Sequence, residues 1–156
     1  MSDAAGARSR AWRLAGALCG LVVVLDQAAK ALVEDRLVLG QQVDVAGPLS
    51  LTLVHNRGVA FGLASGGDAP LVAFAIAGLA FVGVLLARQP TRTGIWLAVG
   101  LVAGGALGNL ADRLRQGAVI DYVEIGSWPP FNLADVAIVA GVATFALIFV
   151  LDGAEE

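Results

Sequence analysis

Residues 69–87 read APLVAFAIAGLAFVGVLLA, without one charged side chain. A helix of this kind crosses the hydrocarbon core of a bilayer, which takes about 20 apolar residues. Three more stretches have the same character. Residues 14–33 are uncharged as far as Leu25 and then carry Asp26 and Lys30. Residues 95–111 are uncharged and run into Asp112 and Arg113. Residues 132–151 carry a single charge, Asp135, in the first turn. The reading is a membrane α-helical protein with four transmembrane helices, its single domain covering residues 1–156.

Composition agrees. Hydrophobic residues make up 58% and charged residues 15%, with a mean hydropathy of +0.79; soluble domains carry about 25% charged residues. So few polar side chains cannot clothe a soluble surface on a chain this small. The net charge of -3 argues against a nucleic-acid partner. One Cys and one His exclude an intrachain disulfide and a Cys/His-rich zinc site. No metal and no cofactor are expected, and the partner to expect first is the phospholipid bilayer.

Four spans put both termini on one side. Arg8, Arg10, Arg13, Arg88 and Arg92 flank that side, and Lys30, Arg36, Arg57, Arg113 and Arg115 the other, which is a tie. The three Arg ahead of the first helix, which usually dominates orientation, favour cytoplasmic termini. The Arg-rich start imitates a secretory signal. Its apolar run is longer than a usual signal core and no small-residue cleavage site follows, so a retained span is expected.

Two segments lie on the far side. In one, Leu49-Ser50-Leu51-Thr52-Leu53-Val54 alternates as a half-buried strand does. In the other, Val119, Asp121, Val123 and Ile125 share a face if the segment is extended, and Gly126–Pro130 reads as a turn. Gly100, Gly104 and Gly108 form a small-residue row that lets another helix backbone come close.

Ionisable side chains at membrane depth are functional candidates by default. Here Asp26, Lys30, Asn56, Arg57, Asn109, Asp112, Arg113, Asp121, Asn132 and Asp135 all map to the membrane face opposite the termini. Scattered structural polar groups would not segregate in this way, so one site built from all four helices and both outer segments is expected. Asp26 and Lys30 have the i,i+4 spacing of a helical ion pair, and Asn109, Asp112 and Arg113 can share one helical face. Asn56-Arg57-Gly58 is an ordinary turn signal. Asn132 followed three residues later by Asp135 resembles a capping box.

Asp121 and Asp135 are separated by 14 residues with Pro129-Pro130 between them, close enough to meet. Two carboxylates in one low-dielectric site share a proton, which supplies an acid and a base together. Such a dyad activates water against an amide without a metal. The chain lacks G-x-S-x-G, H-E-x-x-H and the glycine-rich nucleotide motifs. From the residues alone three readings stay open: a hydrolytic dyad, a proton relay in a small transporter, and structural polar pairs.

The motifs in order resemble those of bacterial lipoprotein signal peptidase, or signal peptidase II. They are Asp26-Gln27-Ala28-Ala29-Lys30, His55 to Gly62, Gly104 to Arg113, Val119-Ile120-Asp121-Tyr122 and Phe131-Asn132-Leu133-Ala134-Asp135, spread over roughly residues 12–152. Ile120 and Tyr122 stand where Val and Phe are common in that family. The resemblance implies an intramembrane aspartyl endopeptidase that cuts prolipoproteins just before a diacylglyceryl-modified Cys, with Asp121 and Asp135 as the catalytic pair. Asn56, Asn109, Arg113 and Asn132 would line the substrate site, supported by Asp26, Lys30, Gly58 and Asp112. It also implies a small extracytoplasmic β-sheet cradle with a flap over the site. The chain would be a monomer in the bacterial cytoplasmic (inner) membrane, sensitive to globomycin-type inhibitors.

Overall fold

In the computed structural model the order of elements is α1 (Ser2–Arg36), β1 (Gln42–Ala46), β2 (Leu49–Asn56), α2 (Ala69–Arg88), α3 (Ile95–Gln116), β3 (Val119–Ile125), β4 (Trp128–Phe131) and α4 (Leu133–Gly153). The structure describes residues 2–58 and 69–153. The Val59-Ala60-Phe61-Gly62 part of the second motif lies outside the described residues, as do all of residues 59–68.

All four helices contain windows apolar enough to cross a membrane. Two outrun the lengths read from hydropathy. α1 takes in the Arg-bearing start and has 35 residues, about 50 Å at 1.5 Å per residue. It therefore projects beyond a hydrocarbon core of about 30 Å. α3 continues past Ala111 to Gln116 and ends where Gly117, in the left-handed conformation, donates its N–H to the Arg113 carbonyl.

α3 is the central helix, packing on α1, α2 and α4. The glycine row explains how α1 gets so close. A Cβ built on Gly104 would stand 2.6 Å from the Val22 Cβ and 3.0 Å from the Cys19 carbonyl oxygen. One on Gly108 would stand 2.6 Å from the Asp26 carboxylate. Small residues thus give the two backbones their contact, the usual device where lipid removes any hydrophobic drive for helices to associate.

The strands form one antiparallel sheet in the order β1-β2-β3-β4 at the end of the bundle away from the termini. Val54 pairs with Asp121 and Asn56 with Val119, so Asn56 and Asp121 lie diagonally across one face. Two features differ from the sequence reading. The turn is confined to Gly126-Ser127, and Pro129-Pro130 belong to β4. This is an edge strand, where a missing N–H does little harm. In β2 the polar Ser50 and Thr52 are buried while Leu49 and Leu51 are only half-buried; Ser50 Oγ donates to Asp44 Oδ1 at 3.0 Å. β3 is buried on both faces from Val119 to Tyr122, because it packs on α3 and α1 as well as on its neighbouring strands.

The bundle is divided by chemistry. At the end with the termini, Ala11, Ala15, Val82, Leu86, Ile95 and Val99 form an apolar core. At the other end the buried side chains include Asp26, Lys30, Asn109, Asp112, Asp121 and Asn132. The Gly104 contact tests the packing: Gly104→Ala should force α1 from α3 and lower stability by about 1–3 kcal/mol. Thermal melting in detergent reads this loss. Gly20→Ala, which meets nothing within 4 Å, should melt as the wild type does.

Candidate active site

The polar end is assembled around Lys30. Its ammonium lies 2.8 Å from Asp26 Oδ2, one turn earlier on α1, and 2.6 Å from Asp112 Oδ2 on α3. All three side chains are almost wholly buried. A buried charge is tolerated only when paired and fully hydrogen-bonded, and here the remaining lone pairs are answered. Asp26 Oδ1 accepts the Ala134 N–H at 3.0 Å. Asp112 accepts Gln27 Nε2 at 2.8 Å and the Ile120 N–H at 3.3 Å. The cluster therefore ties α1 and α3 to the start of α4 and to β3.

Two asparagines, Asn109 and Asn132, connect this cluster to the two candidate carboxylates, and a third, Asn56, holds Asp121 from β2. Asn132 is the N-cap of α4. Its Oδ1 accepts the Asp135 N–H at 2.9 Å, and Asp135 Oδ2 accepts the Asn132 N–H at 3.2 Å. This is the reciprocal capping box expected from the spacing, and it fixes where Asp135 stands. Asn132 Nδ2 reaches Asp121 Oδ1 at 2.6 Å, so one residue touches both carboxylates. Asn56 Nδ2 donates to Asp121 Oδ2 at 2.9 Å, while its Oδ1 accepts the Gly58 N–H at 2.8 Å. Gly58 holds a φ of 73°, a conformation glycine adopts without strain. Asn109 Nδ2 donates to Asp135 Oδ1 at 2.8 Å.

Asp121 is 2% exposed. Burial pushes its carboxyl up from 3.8 to about 6; the Asn56 hydrogen bond works against this, Asp135 repulsion adds to it, and Asn132 and Lys30 pull it down. A carboxyl that keeps its proton to about pH 6 beside a second carboxyl can donate while its neighbour accepts.

The structure divides the Asn109, Asp112 and Arg113 trio. The first two face Lys30. Arg113 lines a cavity of about 230 Å³ with Leu71, Phe74, Val102, Ile138 and Asn109, so Asn109 borders both the ion cluster and this cavity. Arg113 Nη1 reaches the Asn109 carbonyl at 3.5 Å, and its buried Nε has no hydrogen-bond partner among the described residues. A second hollow of about 370 Å³ meets Asp135 between α4 and Trp128 and Phe131 of β4. Two contributors stand inside the motifs but were given no site role from the sequence. Gln27 bridges Asp112 and Arg115, whose Nη1 donates to Gln27 Oε1 at 2.7 Å. The Tyr122 hydroxyl accepts the Leu133 N–H at 3.3 Å. Both sit beside quoted motif residues, Asp26 and Asp121, but a neutral side chain gave no charge signal.

Residues 18–151 match the family model described as signal peptidase (SPase) II. The chain belongs to the signal peptidase II family. The lipoprotein signal peptidase of Syntrophomonas wolfei is 41% identical over 146 residues, covering 87% of this chain and 92% of that protein. That of Halothermothrix orenii is 36% identical over 128 residues, covering 81% and 88%. Among solved structures, a bacterial membrane enzyme determined by the in meso method at 2.3 Å resolution superposes with a TM-score of 0.77. It is 26% identical, covering 91% of this chain and 90% of that one. Signal peptidase II enzymes are aspartic proteases, and this chain is an aspartic endopeptidase of that type in a bacterial membrane.

The ion cluster should dominate stability in this signal peptidase II chain. Asp112→Ala leaves Lys30 paired with Asp26 but strips the acceptor from the Ile120 N–H and from Gln27 Nε2, and should cost about 1–3 kcal/mol for each buried donor left unpaired, read in a detergent melt. Asp35→Ala breaks an exposed pair with Arg36 and should leave the melting curve in place.

Proposed function

We propose that the chain removes signal peptides from diacylglyceryl-modified prolipoproteins by cutting just before the lipidated Cys, with Asp121 and Asp135 activating water. The observation that carries this reading is the shared contact of Asn132, which touches both carboxylates. A common partner brings two groups from β3 and α4 into one small site where a water and a peptide bond can meet them together.

Asp121, the carboxyl raised by burial, holds the proton and gives it to the scissile carbonyl oxygen. Asp135 takes a proton from water, whose oxygen attacks the carbonyl carbon. The tetrahedral intermediate collapses as the proton on Asp135 passes to the leaving nitrogen of the lipidated Cys. Asp121 recovers its proton from the hydroxyl of the intermediate, restoring the pair. The signal peptide keeps the new carboxyl group. Arg113, with its unpartnered Nε at the apolar cavity, holds a carbonyl of the signal peptide, and Asn56, Asn109 and Asn132 keep the carboxylates aimed. The termini lie in the cytoplasm, which puts the site at the outer face of the membrane, where the lipidated Cys emerges. The enzyme works as a monomer and is open to globomycin-type inhibitors.

The deciding experiment is a gel-shift cleavage assay in detergent with diacylglyceryl-modified prolipoprotein and its unlipidated form. Wild type should cut only the lipidated form, and folded Asp121→Asn and Asp135→Asn should be inactive. Normal cleavage by either variant would overturn the dyad; no cleavage of either form by wild type would overturn the substrate assignment. The pH profile is a second check. Asp121 acts while protonated, so activity is present below its pKa and is lost as pH rises through it. Log kcat/KM, which reports the free enzyme, should bend downward at about pH 6. The matching limb of kcat should lie higher, because substrate excludes more water from the carboxyl. A flat profile from about pH 5 to 8 would count against a shared proton.

A further inference from the structure

Among the described contacts Lys30 bonds to neither Asp121 nor Asp135, yet a single amide, that of Asn109, separates it from Asp135. An ammonium donates hydrogen bonds and accepts none. Two of its donors go to Asp26 and Asp112, which already exceed it in charge. The third goes to Asn109 Oδ1 at 3.0 Å. A carboxamide has one acceptor end and one donor end, and the ammonium can meet only the acceptor end. Asn109 Nδ2 is therefore turned toward Asp135 Oδ1, 2.8 Å away. A flipped amide would set N–H groups against the ammonium and an oxygen against the carboxylate, two repulsions in a buried site.

The same orientation extends one step further. Asn109 Oδ1 also accepts Asn132 Nδ2 at 3.1 Å. That amide is locked from its other end, where Oδ1 takes the Asp135 N–H, so its Nδ2 is the end presented to Asp121. We infer that Lys30 is a positioning residue of the peptidase: its ammonium holds the Asn109 amide with its oxygen toward the ion cluster and its N–H donor toward Asp135, while Asn132, set by its own capping bond, presents the donor to Asp121. This inference rests on the Asp121–Asp135 reading. It adds a role for Lys30 beyond holding α1 to α3.

A double-mutant cycle on the full chain, with diacylglyceryl-modified prolipoprotein as substrate, separates this role from a structural one. Lys30→Met should lower kcat roughly 10- to 100-fold while KM stays within about twofold. Asn109→Ala should lower kcat at least as much. The double variant should be no slower than Asn109→Ala, because Lys30 acts through that amide. Losses that multiply, a change in KM alone, or a folded Lys30→Met with normal kcat would each overturn the inference.

If Lys30→Met does not melt cooperatively in detergent, the neutral triple variant Lys30→Met/Asp26→Asn/Asp112→Asn takes its place. Adding Asn109→Ala to the triple should then cost nothing further, and a loss as large as in wild type would overturn the inference. Failure of the dyad is seen separately, as normal cleavage by Asp121→Asn or Asp135→Asn. Dead Asp variants with multiplying Lys30 and Asn109 losses would remove the positioning role and leave the dyad standing.

Discussion

The structure depends on one buried ammonium. Lys30 pairs with Asp26 and Asp112 at 2.8 and 2.6 Å, in a bundle whose helices present mostly lipid-facing apolar surface. Lipid tails compete on equal terms with Leu and Val for contact, so apolar packing alone does little to choose one arrangement of helices. An unpaired charge, by contrast, has no acceptable alternative in that medium. The cluster therefore specifies the arrangement as much as it stabilises it. Through the Ala134 and Ile120 N–H groups it reaches the start of α4 and the middle of β3. Those are the two places from which Asp135 and Asp121 project.

The glycine row and the ion cluster are parts of one device. A Cβ at Gly108 would collide with the Asp26 carboxylate, so the small residue makes room for the acid that receives Lys30. Further up, Gly104 accepts Val22 in the same way. The sheet and the capping box then convert helix placement into site geometry. Asn56 is carried to Asp121 by β-register, and Asp135 is held by the first turn of α4. Asn132, buried completely, belongs to both systems.

Much of this was legible in the chain. Uncharged runs such as residues 69–87 have one stable solution in water-poor surroundings, a membrane helix, because every backbone polar group must be satisfied within the segment. Polar residues gathered at one membrane face announced a site, and the Asn132–Asp135 spacing announced a capping box, because both patterns are local. The limits were local too. Hydropathy could not see that α1 begins at Ser2, since its Arg-bearing start is a good helix without being an apolar one. Nor did it separate a Pro-Pro turn from an edge strand, because both tolerate the missing N–H.

By itself the sequence determined the medium, the number of spans, the end of the bundle where chemistry gathers and the two carboxylates to watch. These follow from composition and from spacings of a few residues, which act through the nearest turn of chain. Only the tertiary structure decided which partners meet. It turned Asp112 toward Lys30, Arg113 toward a cavity and Asn109 toward both, although all three sit within one turn and a half of α3. It brought Gln27 against Asp112 and Asn56 against Asp121, across 85 and 65 positions of sequence. Such contacts depend on how closely two backbones approach and on which donors remain unpaired after they do, and no local pattern carries that information.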